Sequence, residues 1–590
     1  MNKRPLAFAL SAVLLSGSLS ADPLLTSWFT ADSGQYARIF QSTANETAGT
    51  TSATWSRGSG VQSNPTYAGV HEIVHSASWV YIRTTGLASH VMGPWYLDAA
   101  KTTNFPNFPS NTASIYRIPR VPTIPAGKTL TGLGATGRMV NGVSMFDSRD
   151  AFSYVNASAT DATPVNGLTG DGIWNRDGYH NEGVTFDPAL AHQAGNNYHY
   201  HAQPIALRHQ LGDHVDYNAT TNRYTESASA VTAHSPILAW AADGLPVYGP
   251  YGYASAMNAG SGVQRMVSGF ALRNGSNGTT NITVRQVLPL WAQRVQNRTT
   301  LAANQYGPAV NATYLLGHYL EDFDYRGDLG QTQGVNFDLN EQNVRFCMTP
   351  EYPAGTWAYF TTINADGTPA YPYTTGRQYY GSPTGGSTTI AETVTTYFQG
   401  GPNKTATWSA VPVAVAGGNV TLTWSAVEGG TYQVAAASEV VNTFTALTPT
   451  VLAANDAASA VETGGAGSNT KRFYKVTRTA LATFDANGFN YTQGGGGGAS
   501  VAPGGSATRG TTVTVTITLP TTPPLPPAGI VPTSITLAGT IVGTAITRPT
   551  QATAVATFTI PAGAPTGAQS IVVVFTPGPT YTMTGAFTIN

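Results

Sequence analysis

Charge is what this 590-residue chain has least of: Asp, Glu, Lys and Arg make up 10% of it, against about 25% in ordinary soluble domains. So few charges exclude coiled coils and long salt-bridged surface helices. With a net charge of -1 and no basic stripe or acidic tail, the chain offers no field for a nucleic acid partner. Cysteine is nearly absent too. The single Cys347 forbids an internal disulfide, which in an exported chain of this size points to a bacterial origin. Past the N-terminus no apolar run reaches the ~20 residues of a membrane span, so no membrane span is expected.

Glycine and proline are plentiful, at 64 and 37 residues, and the strand-formers Val, Ile, Thr, Tyr and Phe recur between them. The fold class expected is all-β: a large β-rich N-terminal domain followed by two β-sandwich modules. Residues 1–20 have the form of a signal peptide, with Lys3 and Arg4 before the apolar stretch Leu6 to Leu15 and small residues at Ser18 and Ser20. A secreted, periplasmic or extracellular protein is therefore expected. The large domain is assigned to residues 21–382, a Gly/Thr/Ser/Pro-rich linker to 383–404, a first sandwich to 405–485, a Gly-rich linker around Gly494 to Gly498 to 486–505, and a second sandwich to 506–590.

Within the large domain, Val80 to Arg83, Gly93 to Leu97 and Ile115 to Ile118 read as strands. Asn141-Gly142 marks a tight turn between two more. Leu190 to Ala194 reads as one helical turn, and Val287 to Gln296 as a short helix with Pro289 in its first turn.

Histidine is not spread evenly. Of the 11 in the chain, His180, His192, His199, His201, His209, His214 and His234 fall within one short window. In Tyr198-His-Tyr-His201, strand alternation would send the two tyrosines to one face and the two histidines to the other, about 6.6 Å apart along the strand. Two imidazoles so placed can converge on one metal ion, zinc or copper. His180, His209, His214 and His234 are candidate further ligands. Glu182 and Asp243 could ligate or orient an imidazole, and Asp213 lies nearby. The competing reading is a buried Tyr/His network with every donor satisfied. Cys347 reads as a small buried hydrophobe, or else as a soft copper ligand.

Two other patterns invite chemistry. His71-Glu-Ile-Val-His75 matches the HExxH of zinc proteases, where a helix puts both histidines on one face and Glu72 serves as general base. Its metzincin extension fails, since Ser78 and Tyr81 stand where Gly and His belong, and on a strand the pair would have no catalytic meaning. Asp322-Phe-Asp-Tyr-Arg-Gly-Asp328 spaces carboxylates as calcium could use them, without meeting the calcium-loop pattern. No nucleophile elbow or phosphate loop is present.

The block Asn196 to His201, together with His234 to Pro250, resembles the YHYH domain family. Cys347 to Phe360 and Gln378 to Gly381 are similar to its distal end, so the likeness covers much of residues 139–381. Asp338 to Arg345 departs from the family's approach to the cysteine. The resemblance implies export and a β-rich domain, and leaves the chemistry open. Val420 to Trp424, Thr431 to Val434 and Arg472 to Val476 resemble a fibronectin type III-like module with Trp424, Tyr432 and Tyr474 in its core. Thr511 to Leu519 and Ile571 to Phe575 resemble an immunoglobulin-like sandwich.

Three functions follow as expectations. One is an exported copper- or zinc-binding protein centred on His199 and His201. Another is an adhesion or matrix protein whose His/Tyr block is only core. The third is a hydrolase of an extracellular polymer, a zinc protease in its sharpest form. In the last two, the C-terminal modules would contact a cell surface or polymer.

Overall fold

The computed structural model describes residues 22–404, 406–447, 449–466, 472–480, 501–502, 506–519, 525–526, 530–550, 553–575 and 579–590. The signal-like segment 1–20 and Gly494 to Gly498 lie outside them. The described residues are β-rich, with many sheets and no long helix among them, and none of their helices is long and apolar enough to cross a membrane.

The first sheet is built on β1 (Val70–His75), β2 (Trp79–Thr84) and β3 (Ser114–Pro119). All neighbours are antiparallel, and Val70, Ile73, Val80, Ile82 and Ile118 are buried on it. Ser76 Oγ accepts from the amides of Ser78 and Trp79, which closes the β1–β2 turn. The edges are completed by Gly386–Ser387 beside β3 and Thr395–Gln399 beside β1. The stretch 383–404, expected to be a linker, thus contains two strands. Its polar composition hid them, because an edge strand can keep much of its length in water.

The second sheet has eight strands. Gly137–Met139 (β4) and Ser144–Met145 (β5) form a hairpin around Asn141-Gly142. Gly142 has φ +84°, and a Cβ there would stand 2.2 Å from Thr84 Oγ1, so both backbone and space require glycine. Next come β6 (His192–Ala194), β7 (Asn197–Tyr200), β8 (Ile237–Ala241), β9 (Pro246–Tyr248), β10 (Val344–Cys347) and β11 (Thr356–Phe360). The spatial order is β6-β7-β5-β4-β8-β9-β11-β10. Only β7–β5 and β9–β11 are parallel. β8 is buried along its whole length, as befits a strand covered on both faces. Both sheets share one core, which includes Val70, Ile82, Tyr116, Tyr198, Tyr200, Trp240, Tyr359 and Cys347.

Two local expectations are corrected. Leu190 to Ala194 is no helical turn. Asp187 accepts from the amides of Ala189 and Ala191, Leu190 takes φ +66°, and the chain enters β6 directly. Gly93 to Leu97 is no strand either: it follows an irregular path with a cis Gly93–Pro94 bond and a single bridge from Tyr96 to Asn104. The expected short helix is found at Leu290–Gln296, with Pro289 as its N-cap.

Beyond the first two sheets, Trp408–Ala416, Asn419–Ser425 and Ala457–Glu462 form one sheet. Thr431–Ala437 pairs with Thr445–Ala446, Val451–Leu452 and Phe473–Ala480 in another. Leu422, Trp424 and Tyr432 are buried between them, with Tyr474 half-buried at the margin. Two further sheets carry the final core of Ile517, Ile535, Phe558, Val573 and Phe587. Glu428, between Asn419–Ser425 and Thr431–Ala437, links the pair of sheets that holds these strands to the N-terminal region: it pairs with Arg38 and accepts from the Tyr36 amide at 2.9 Å. Val427 packs against Tyr36 and Tyr67 beside it.

Candidate metal centre

The site begins with a turn. Gly195, at φ +61°, and Asn196 connect β6 to β7. A two-residue connection fixes hairpin register, here Ala194↔Asn197, Gln193↔Tyr198 and His192↔His199. Directly opposed residues on one face have Cβ atoms about 4.5–5.5 Å apart, so the register itself delivers His192 to His199. Their ring centroids are 4.7 Å apart. Alternation along β7 then sends Tyr198 and Tyr200 into the core, with Tyr198 donating to Asp187 Oδ2 at 2.8 Å. His199 and His201 share the other side, their Nε2 atoms 3.0 Å apart.

The fourth group arrives from α1 (Gly178–Glu182), which is capped by the Asp177 side chain accepting from His180 N. Its last residue, Glu182, places Oε2 3.2 Å from His201 Nε2 and 3.6 Å from His192 Nε2. The approach of α1 depends on Gly178, where a Cβ would meet His201 Nδ1 at 3.1 Å and Ser148 O at 3.2 Å. The three histidines are buried, while the Glu182 side chain is 25% exposed.

Hydrogen bonding settles which nitrogen of each ring is bare. His199 Nδ1 lies 3.0 Å from Asn197 O, and His201 Nδ1 lies 2.7 Å from Asp147 O. A carbonyl only accepts, so both Nδ1 atoms carry the proton. His192 Nδ1 lies 2.7 Å from Thr185 Oγ1, whose own proton goes to Glu182 O at 2.7 Å. His192 Nδ1 must therefore donate as well. A neutral imidazole has one donor and one acceptor nitrogen, so all three Nε2 atoms present lone pairs to one another and to a carboxylate oxygen. Glu182 Oε2 is itself buried without a hydrogen-bond partner.

Such a set repels itself unless a metal cation or a proton stands within it. A tetrahedral zinc with bonds of about 2.0–2.1 Å would need donor–donor separations of about 3.3 Å, and the observed 3.0, 3.2 and 3.6 Å bracket that value. The ligand atoms of His192, His199 and His201 all lie within 4.8 Å of one another, the one such group found among the described residues. The Nδ1 partners hold each ring in the tautomer a metal requires.

Electrostatics agree. Burial, then the neighbouring rings His199 and His201, pushes His192 well below the ordinary imidazole range. Burial, then His201, does the same to His199. Burial opposes protonation of His201 too, but the Glu182 carboxylate and the Asp147 carbonyl outweigh it and raise its pKa. Without a cation, then, one proton on His201 relieves the cluster. Phe146 stacks on His199 at 3.9 Å and Phe186 meets the His192 ring edge-on at 4.8 Å, which lowers the local dielectric and strengthens every charge interaction inside.

The other residues singled out in the sequence lie with different partners. His180 is exposed on α1, its ring 5.4 Å from His318. His209 is exposed beside Tyr217 and Tyr224. His214 packs against Tyr251, and His234 against Tyr248 and Tyr253. Asp213 is held by Arg208 and Ser235. Asp243 is a structural brace: it accepts from Leu245 N, Tyr359 OH and Gly381 N. Cys347 is buried in the main core. His192 was not singled out as a candidate ligand because a helical reading of Leu190 to Ala194 hid its pairing. The signal was the Gly195-Asn196 turn, from which the register counts back to His192.

The helical protease reading of His71-Glu72-x-x-His75 is overturned, because these residues form β1. Alternation separates Glu72 from the histidines. Glu72 pairs with Arg83, His71 Nε2 lies 3.0 Å from Tyr67 O, and His75 Nδ1 faces Arg120. The acidic loop forms no shared oxygen cage: Asp322 is held by Arg285, Asp324 by Arg273 and Asp328 by Arg294.

No curated protein matches the chain. The model of the family described as YHYH protein matches residues 115–373, a span that contains the whole cluster of His192, His199, His201 and Glu182.

Proposed function

We propose that the YHYH domain holds a divalent transition-metal ion, zinc or copper(II), on His192, His199 and His201, with Glu182 as fourth donor. The observation that carries this reading is the convergence of three Nε2 atoms, on rings whose Nδ1 atoms are each held by a hydrogen bond on the far side. A purely structural His/Tyr network would pair its inner nitrogens with hydroxyl or amide groups, and here they face only each other and a carboxylate. Three imidazoles and a carboxylate, with no sulfur among them, suit zinc or copper(II) rather than copper(I).

The test is metal analysis of untagged full-length protein beside a His199→Ala/His201→Ala variant. About one equivalent in the wild type and almost none in the variant is the expected result. Equal metal content in both would end the proposal.

We also propose that the protein is exported, on the leader pattern of residues 1–20. The two C-terminal β units, of fibronectin type III-like and immunoglobulin-like pattern, would then hold the metal domain against a cell surface or an extracellular polymer. Cell fractionation tests the export. Retention of the full-length chain in the cytoplasm would refute it.

A further inference from the structure

A cavity of about 710 Å³ opens beside α1, lined by Tyr179 and His180 but by none of the four proposed metal donors. Its volume falls in the range of small-molecule sites, roughly 300–1,000 Å³. One wall is aromatic and rigid. Tyr371 stacks on Phe323 at 4.5 Å and meets Phe270 edge-on at 4.9 Å, and Trp291 supports Phe270 edge-on at 5.6 Å.

The polar side of the cavity is unbalanced. Arg326 lines it, and no lining residue is acidic. Its guanidinium makes no ion pair among the described residues. It has one side-chain hydrogen bond, to Gln331 Oε1 at 3.3 Å, and its Nε is buried without a partner. The contrast with its neighbours is direct: Arg273, Arg285 and Arg294 each hold an aspartate from this same loop. Burial, with no opposing charge, pushes the Arg326 pKa down. A second unanswered group, the Tyr371 hydroxyl, is also buried without a partner. A half-buried cation that lacks a counter-ion is costly, and a planar guanidinium is matched by a carboxylate that takes two of its N–H groups.

We propose that this cavity binds a small ring compound bearing a carboxylate. The ring lies against Phe270, Phe323 and Tyr371, and the carboxylate is anchored by Arg326. An aromatic acid and a uronic acid share that chemistry. The proposal is independent of the metal reading, since it uses neither the metal nor its donors.

Calorimetric titration of the full-length protein with 4-hydroxybenzoate and with D-galacturonate tests it, beside the neutral partners 4-hydroxybenzamide and D-galactose. At least one acid should bind saturably, and its neutral partner should bind at least about tenfold more weakly. Which acid binds identifies the ring. Arg326→Gln should weaken the binding acid by at least about tenfold at unchanged melting temperature, and Arg326→Lys, which keeps charge but loses the fork, by less. The proposal is overturned if neither acid binds up to roughly 10 mM, if acid and neutral partner bind alike, or if Arg326→Gln binds as the wild type does. The acid-against-neutral comparison needs no variant, so it stands even where Arg326→Gln fails to fold.

Discussion

Two strands of this protein carry paired histidines, and they could hardly differ more. On β1, His71 and His75 match a well-known zinc-protease pattern, yet their rings go to separate partners, Tyr67 O and Arg120. On β6 and β7, His192, His199 and His201 match no general metal motif, yet their bare nitrogens meet. The HExxH pattern works only on a helix, where i and i+4 share a face; on a strand it has no focus. The hairpin needs no motif, because a two-residue turn makes opposed residues neighbours. On the proposed reading, metal binding here depends on cross-strand register more than on spacing along the chain.

The largest effect should come from exchanging the two regions in one experiment. His71→Ala/His75→Ala should keep full metal content, whereas His199→Ala/His201→Ala should lose nearly all of it, both read by elemental analysis. Loss in the first variant with folding intact would undo the contrast.

A sharper break targets register alone. One residue inserted between Gly195 and Asn196 leaves every ligand in the sequence but changes the pairing of β6 with β7. A one-residue slip turns a strand's side chains to the other face. Zinc affinity, measured by competition with a chelator, should fall by more than the roughly 10–100-fold that loss of an outer partner costs. Unchanged affinity would mean that His192 is not a ligand.

Thr185→Val removes the hydroxyl that receives the His192 Nδ1 proton and keeps the shape. Affinity should drop about 10–100-fold with the fold retained. The same substitution should leave the metal-free melting temperature down by only a few degrees, since one hydrogen bond contributes about 1 kcal/mol.

The pH dependence of the metal-free protein is the smallest effect and has a definite sign. His192 and His199 have depressed pKa values in the fold, so the stability tied to their neutral forms is present above about pH 6.5 and is lost as pH falls below it, where the unfolded chain takes up protons the fold refuses. His201, with its raised pKa, acts the other way: its contribution is present below about pH 6.5 and is lost as pH rises through its folded value. Two groups against one should make metal-free wild type lose more stability between pH 7 and pH 5 in chemical denaturation than a His192→Gln/His199→Gln variant, because the other buried titrating groups are common to both. An equal loss in the two would contradict the depressed pKa values of His192 and His199.

Much of this was legible beforehand. The alternation in Tyr198-His-Tyr-His201 gave the facing of all four side chains, and Asn141-Gly142 gave its hairpin. Glu182 stood out as a carboxylate near the cluster. What stayed hidden depends on distant contacts. Asp243 and Asp213 carry the same chemistry as Glu182, and only the fold shows that one braces Tyr359 while the other holds Arg208. His209 lies close in sequence to the motif but on the short helix Ile205–Gln210, and His234 lies in the segment that leads into β8, both with other partners. His192 could have been found by counting back from Gly195-Asn196, had the short segment before it not been read with a helical period.

The central claim is that β6–β7 register and α1 together present three imidazoles and one carboxylate to a single ion. Extended X-ray absorption fine structure at the edge of the bound metal, on untagged full-length protein, tests it most directly. The account predicts three imidazole nitrogens and one oxygen, at about 2.0–2.1 Å if the ion is zinc. A bound metal with two imidazoles or fewer, or with a sulfur ligand, would contradict it.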